Sequence, residues 1–277
     1  MRLSKGVDDD RAIDRIDAFC DAVPRGRARA EGHGPLVLFV PPGPGWPYYA
    51  RPRRGAVGPV TSADIRAVRA RQRELLIPES FEWIEEGAPG LAPAAREAGL
   101  DVRAHPLMVL GAFVPAPPPL PGTEVRLVTA DDPELDRIWS APAVAFSHPG
   151  TAVGPAGPPE RDKIAAELDG GTITMLRERL RSAQSSLAAG FGPDGPVAAG
   201  SCQAVGTVAE ITGVGVLPSA RRQGVGSAVT AELARDALRR GIRTIFLSAS
   251  DDAVARIYAK LGFRRAGTAM IADPGHP

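Results

Sequence analysis

The chemistry in this chain concentrates in Val214-Gly215-Val216-Leu217-Pro218-Ser219-Ala220-Arg221-Arg222-Gln223-Gly224-Val225-Gly226-Ser227. The pattern reads as a strand that ends at Val216, a short turn, and a helix that opens at Gly224. Such a turn offers several free backbone N–H groups at the positive end of a helix dipole, an arrangement that holds a pyrophosphate. Gly224 and Gly226 have no Cβ, so phosphate oxygens can come against the backbone. Arg221 and Arg222 can add charge-assisted contacts beside Gln223, Val225 and Ser227. Taken alone, the glycine pair also fits a plain strand-to-helix turn. It is not a dinucleotide fingerprint, because the three-glycine spacing and the later acidic residue are missing. A Walker loop would need Gly-Lys-Ser/Thr, which is absent here.

The elements around this segment form a regular series. Glu124 to Thr129 alternates like a strand, and Asp131 is placed to cap a helix with Pro133 in its first turn. Arg161 to Leu168 and Thr174 to Leu187 read as helices. Strands follow at Ser186 to Phe191, Val197 to Val205 and Val208 to Val216, the first two separated by the breaker Gly192-Pro193-Asp194-Gly195-Pro196. Gly224 to Arg240 is a helix stopped by Gly241, Thr244 to Ser248 a strand, Asp251 to Leu261 a helix and Phe263 to Ile271 a last strand. This is an α/β layout with a mixed sheet. The first half repeats its end: strand Phe81 to Ile84, helix Pro89 to Ala98, strand Val102 to Leu110, with Trp83 matching Phe246 and Gly99 matching Gly262. Five prolines between Pro115 and Pro121 make 115–122 a stiff linker between domains 1–114 and 123–277.

Arg221-x-x-Gly224-x-Gly226, preceded by Val214-x-Val216-x-Pro218, resembles the acetyl-CoA signature of the GNAT N-acetyltransferase superfamily. Asp251 to Phe263, with Tyr258-x-x-x-Gly262-Phe263, is similar to its second hallmark. The resemblance covers about residues 123 to 272. It implies two tandem GNAT-like domains, each with a central mixed β-sheet flanked by helices, and acetyl-CoA as co-substrate. It further implies that strand Val208 to Val216 splays from Thr244 to Ser248, so that Val214, Gly215 and Val216 hold pantetheine and one N–H polarises the thioester. Arg222 to Ser227 would hold the pyrophosphate. Glu210 stands where several members carry the general base, and Tyr258 where a phenol protonates the departing thiolate. The structural alternatives are a solvent-facing strand glutamate and a tyrosine packed on the sheet. Asp251 departs from the asparagine that many members carry on the pantetheine arm, and it also reads as an N-cap. His148 is a further candidate for the acceptor side.

The acceptor implied is an amine of a small molecule or peptide. Another acyl-CoA donor, or a non-catalytic acyl-CoA sensor, remains an alternative. In the first half, Arg53-Arg54-Gly55-Ala56-Val57-Gly58-Pro59 is the nearest match to the anion turn. There Ala56 replaces Gly224, Pro59 lacks an N–H, and Ala95 stands in the place of Tyr258, so a degenerate copy and one cofactor per chain are expected. A net charge of +1 in 277 residues argues against nucleic-acid binding. No run approaches the ~20 apolar residues of a membrane span. Cys20 and Cys202 form no metal pattern. Together these features fit a cytoplasmic monomer or homodimer without metal.

Overall fold

The computed structural model describes residues 4–42, 48–111, 114 and 122–275. Apart from Gly122, the linker expected at 115–122 lies outside the described residues. The chain forms two compact units. One takes the chain up to Met108, with Ser248–Asp252 and everything from Arg265 on; the other takes Val109–Leu247 and Ala253–Arg264.

The first unit contains α1 (Ser4–Arg25), β1 (Arg29–His33), β2 (Leu36–Val40), β3 (Arg51–Pro52), α2 (Ser62–Glu74), β4 (Phe81–Ile84), α3 (Leu91–Glu97) and β5 (Asp101–Leu110). β1, β2 and β3 pair antiparallel, and Ala50 bridges Phe81 at the start of β4. Four of the five residues of β2, Leu-Val-Leu-Phe-Val, are buried, which its unbroken apolar run requires. The repeated strand, helix and strand of the first half are β4, α3 and β5, with the helix two residues shorter at its start than the pattern suggests. The division differs from two consecutive blocks: Ser248–Asp252 belongs to the first unit, and so does most of β11 (Phe263–Asp273), which lies between β4 and β5. Ala269 pairs with Ile84 and Ala272 with Phe81. The physical reason is burial. Met270 and Ala272 sit in one core with Leu36, Ile65, Trp83 and Leu91.

The second unit contains β6 (Glu124–Leu127), α4 (Leu135–Phe146), α5 (Pro158–Glu167), α6 (Gly170–Arg181), β7 (Ser185–Gly192), β8 (Gly195–Val205), β9 (Val208–Val216), α7 (Val225–Arg239), β10 (Thr244–Ser248) and most of α8 (Asp252–Ala259). Its strands run in the order β6-β7-β8-β9-β10. They are antiparallel from β6 to β9 and parallel at β9 and β10, which makes the sheet mixed. Ala199 of β8 packs with Ile138 of α4. A Cβ on the next residue, Gly200, would lie 3.3 Å from Val229 of α7. Neighbouring strand residues face opposite sides, so α4 and α7 cover opposite faces.

Several boundaries differ from the sequence reading: α5 opens at Pro158 and α6 at Gly170, ahead of Arg161 and Thr174. α4 opens at Leu135 because the buried Asp132, not Asp131, takes the Glu134 N–H (3.1 Å) while pairing with Arg126 (2.6 Å). α6 stops at Arg181 rather than Leu187. Ala183 turns to φ 54°, and Ser185 onward pairs with β8. Ending the chain at Arg264 should remove the middle strand of the first unit. Hydrogen exchange at β2 and β4 should then rise towards unprotected rates; retained protection would show that β11 is dispensable.

Candidate active site

The second unit opens where two strands part. The parallel ladder joins Val208 to Thr244, Ala209 to Ile245 and Glu210 to Phe246, and ends there, although β9 runs on to Val216. Beyond that point β9 carries a bulge, with Ala199 opposite Gly215 but Ser201 opposite Thr212. Gly213 takes φ 66° inside the bulge. A bulge bends its strand and sharpens its twist. Val214, Gly215 and Val216 therefore continue beyond the ladder to β10, and an extended amide-bearing chain can lie along such an edge as an extra strand.

The turn after β9 ends in a helix start that no side chain covers. Pro218–Ala220 form one 3-10 turn, Arg222 takes φ 66°, and Gly224 caps α7 at φ 86° and ψ 0° without a side-chain bond. Only glycine adopts that conformation freely. The first helical bond outside the cap runs from the Ala228 N–H to the Gly224 carbonyl (3.1 Å). The N–H groups of Val225, Gly226 and Ser227 thus precede any intrahelical acceptor. Val225 is buried and anchors the helix start, while Arg222, Gln223 and Gly224 are exposed. Holding Arg222 in the left-handed region costs about 1 kcal/mol, a form of strain common at functional sites.

The two arginines do different things. Arg222 is exposed at the turn. Arg221, expected from sequence to contact the anion, is turned inward. Its guanidinium donates to the carbonyls of Val216 (3.3 Å), Ala152 (3.2 Å), Ala145 (3.0 Å) and His148 (2.6 Å). Four carbonyl acceptors leave it holding loops, the geometry of a clamp.

Glu210 sits on the last rung before β9 and β10 separate, opposite Gln203 of β8 and Phe246 of β10. Gln203 is itself held by Arg179 of α6 (3.2 Å). Tyr258, on α8, tilts against Phe263 with ring centroids 6.1 Å apart. Burial pushes its phenol up to about 12, so it stays protonated at neutral pH. Asp251 is exposed immediately before α8, accepts from the Ser250 hydroxyl (3.3 Å), and belongs to the first unit. The Nδ1 of His148 lies against the Val144 carbonyl (3.0 Å) at the end of α4, and its own carbonyl is one of the acceptors of Arg221. Among the described residues no three metal-binding side chains cluster, and no helix is long and apolar enough to cross a membrane.

The corresponding turn of the first unit is closed. Thr61 and Asp64 cap α2 reciprocally: Oδ2 of Asp64 accepts from the Thr61 N–H (2.9 Å) and Oγ1 of Thr61 from the Asp64 N–H (3.3 Å). A carboxylate thus occupies the helix end where an anion would bind. Arg54 is paired with Asp17, and Ala95 is buried in the core.

Residues 160–263 match the Acetyltransferase (GNAT) family. That segment is a GNAT domain. It spans α5 through α8 and the turn just described, and its family is one of acyltransferases. A GCN5-related N-acetyltransferase from Kribbella flavida is similar at 25% identity, over 95% of this chain and 96% of that one, with a TM-score of 0.69. The fold is also shared with a putative GNAT acetyltransferase from Novosphingobium aromaticivorans (16% identity, 92% and 95% covered, TM-score 0.54). A tandem GNAT protein from the clavulanic acid biosynthesis pathway is similar at 17% identity, over 87% of this chain and 79% of that one, with a TM-score of 0.50. No curated protein matches.

Sequence reasoning missed the inward direction of Arg221, since its acceptors at Ala145, His148 and Ala152 lie far away along the chain. The Thr61-x-x-Asp64 box of the first half was a readable signal of a closed helix end. Gly224→Val should weaken CoA binding about tenfold or more by forcing a β-branched residue to positive φ beside the open N–H groups. Gly58→Val carries similar strain at φ 93° in the first unit and should leave CoA affinity unchanged in calorimetric titration.

Proposed function

We propose that the chain is an N-acetyltransferase that moves an acetyl group from acetyl-CoA to the amine of a small molecule or peptide by direct attack. The observation that carries this reading is the uncapped start of α7, with Gly224 left-handed, beside the point where β9 leaves β10. In this reading Val214, Gly215 and Val216 receive the pantetheine arm and one backbone N–H polarises the thioester carbonyl. Arg222, Gln223, Gly224, Val225, Gly226 and Ser227 surround the pyrophosphate, with Arg221 behind them. The amine forms the new C–N bond as the thioester C=O opens to a tetrahedral oxyanion, which the preorganised N–H stabilises, and collapse of that oxyanion breaks the C–S bond and expels the CoA thiolate.

Glu210 accepts the ammonium proton directly or through water, and Tyr258 gives its proton to the leaving thiolate. A phenol near 12 stays protonated at neutral pH and so has a proton to give. One site operates per chain, in the second unit, and the first unit is a structural copy whose helix end is closed by Asp64.

CoA release, followed over a panel of amines, tests the activity; no release with any amine despite tight CoA binding would favour a sensor. With an active amine, Glu210→Gln and Tyr258→Phe should each lower turnover by roughly 10² or more with little change in CoA affinity. Because burial raises the phenol, Tyr258 should cause no alkaline loss of activity until the pH nears about 12. A limb near pH 10 that disappears in Tyr258→Phe would contradict its protonated state. Titration should give one CoA per chain, and two would refute the closed first site.

A further inference from the structure

The loop from Ser147 to Gly157, between α4 and α5, forms no helix or strand, yet it is fixed. Three of the four carbonyls held by Arg221 are those of Ala145, His148 and Ala152, at the end of α4 and in this loop. The fourth, Val216, ends the strand before the anion turn. Two backbone bonds run alongside: the Gly154 N–H to the Pro218 carbonyl (3.1 Å) and the Ser219 N–H to the Ala156 carbonyl (3.0 Å). Ala156 shares an apolar cluster with Val144, Leu217 and Ala220. Contact is so close that a Cβ on Gly157 would lie 2.7 Å from the Ser219 Oγ.

We propose that Arg221 is a positioning residue that makes the α4–α5 loop and the turn before α7 one body, so that filling the pyrophosphate site lowers the residual opening of residues 147–157. The proposal rests on the donor site read above. A guanidinium spreads five N–H donors over three nitrogens and so serves four carbonyls at once, whereas an ammonium has three donors on one nitrogen. The turn it backs holds two irregularities, Arg222 and Gly224 on either side of Gln223, both in the left-handed region. Such a backbone persists only where its surroundings over-determine it, and the clamp from Val216 to Ala152 supplies that support.

Arg221→Lys keeps the charge and removes the fork. It should weaken CoA binding roughly tenfold, the size expected for one lost charge-assisted hydrogen bond. Gly157→Ala leaves Arg221 in place, pushes the loop off Ser219, and should reproduce the effect. In the wild type, saturating CoA should slow hydrogen exchange across 147–157. Arg221→Lys should lose that protection at saturating CoA, and Arg222→Ala should keep it even with weakened affinity. Wild-type affinity in both Arg221→Lys and Gly157→Ala would overturn the proposal, as would loop protection in Arg221→Lys equal to wild type. Failure of the wild type to bind CoA at all would instead overturn the donor site, and is seen before any variant is made.

Discussion

A helix start must satisfy the N–H groups of its first turn, and much of the second unit follows from leaving those of α7 without a side-chain cap. Gly224 turns the chain into the helix without a hydroxyl or carboxylate to offer. Val225 sinks into the core so that the exposed turn stays attached to the sheet. The same element start in the first unit takes the opposite solution, with Thr61 and Asp64 closing α2 on itself. Two copies of one local problem thus separate by chemistry: one keeps donors available to an outside anion, and the other satisfies them internally.

The sheet prepares the second half of the site. A parallel pair that ends after Glu210 and Phe246 cannot stay closed beyond it when the neighbouring ladder carries a bulge at Gly213. The bend therefore has a cause in register, not in loop flexibility. It places the carboxylate of the last rung, the extended stretch Val214 to Val216 and the turn before α7 on one continuous piece of chain. Positioning them needs no rearrangement of distant parts, only the arrest of pairing at one rung.

Local elements were the most legible from sequence. β9 and β10 fall at the residues their apolar runs mark, and α7 ends at Arg239 before the left-handed Gly241. These signals depend on neighbours in the chain. α1 and the small sheet β1-β2-β3 were less legible, because a short continuous apolar run such as Leu36–Val40 has no periodicity that separates strand from helix. The place of β11 was beyond sequence: its alternation is that of any half-buried strand, and its partners lie far back in the chain at Phe81 to Ile84. The carbonyl partners of Arg221 were hidden for the same reason. Residue type and motif position gave it to the anion, whereas its hydrogen bonds are set by a loop that motif spacing does not see.

The middle strand of the first unit also sets an order of events during synthesis. β4 leaves the ribosome early, but the row beside it is filled by Ala269 to Ala272. At about 5–20 residues per second, the stretch from Leu110 to Met270 takes on the order of ten to thirty seconds to translate. Over that interval Trp83, Leu91 and Ile65 wait for a core that Met270 and Ala272 complete. The half made first is therefore the half finished last, and a nascent chain of this kind presents an unfilled strand position to its surroundings for most of its birth.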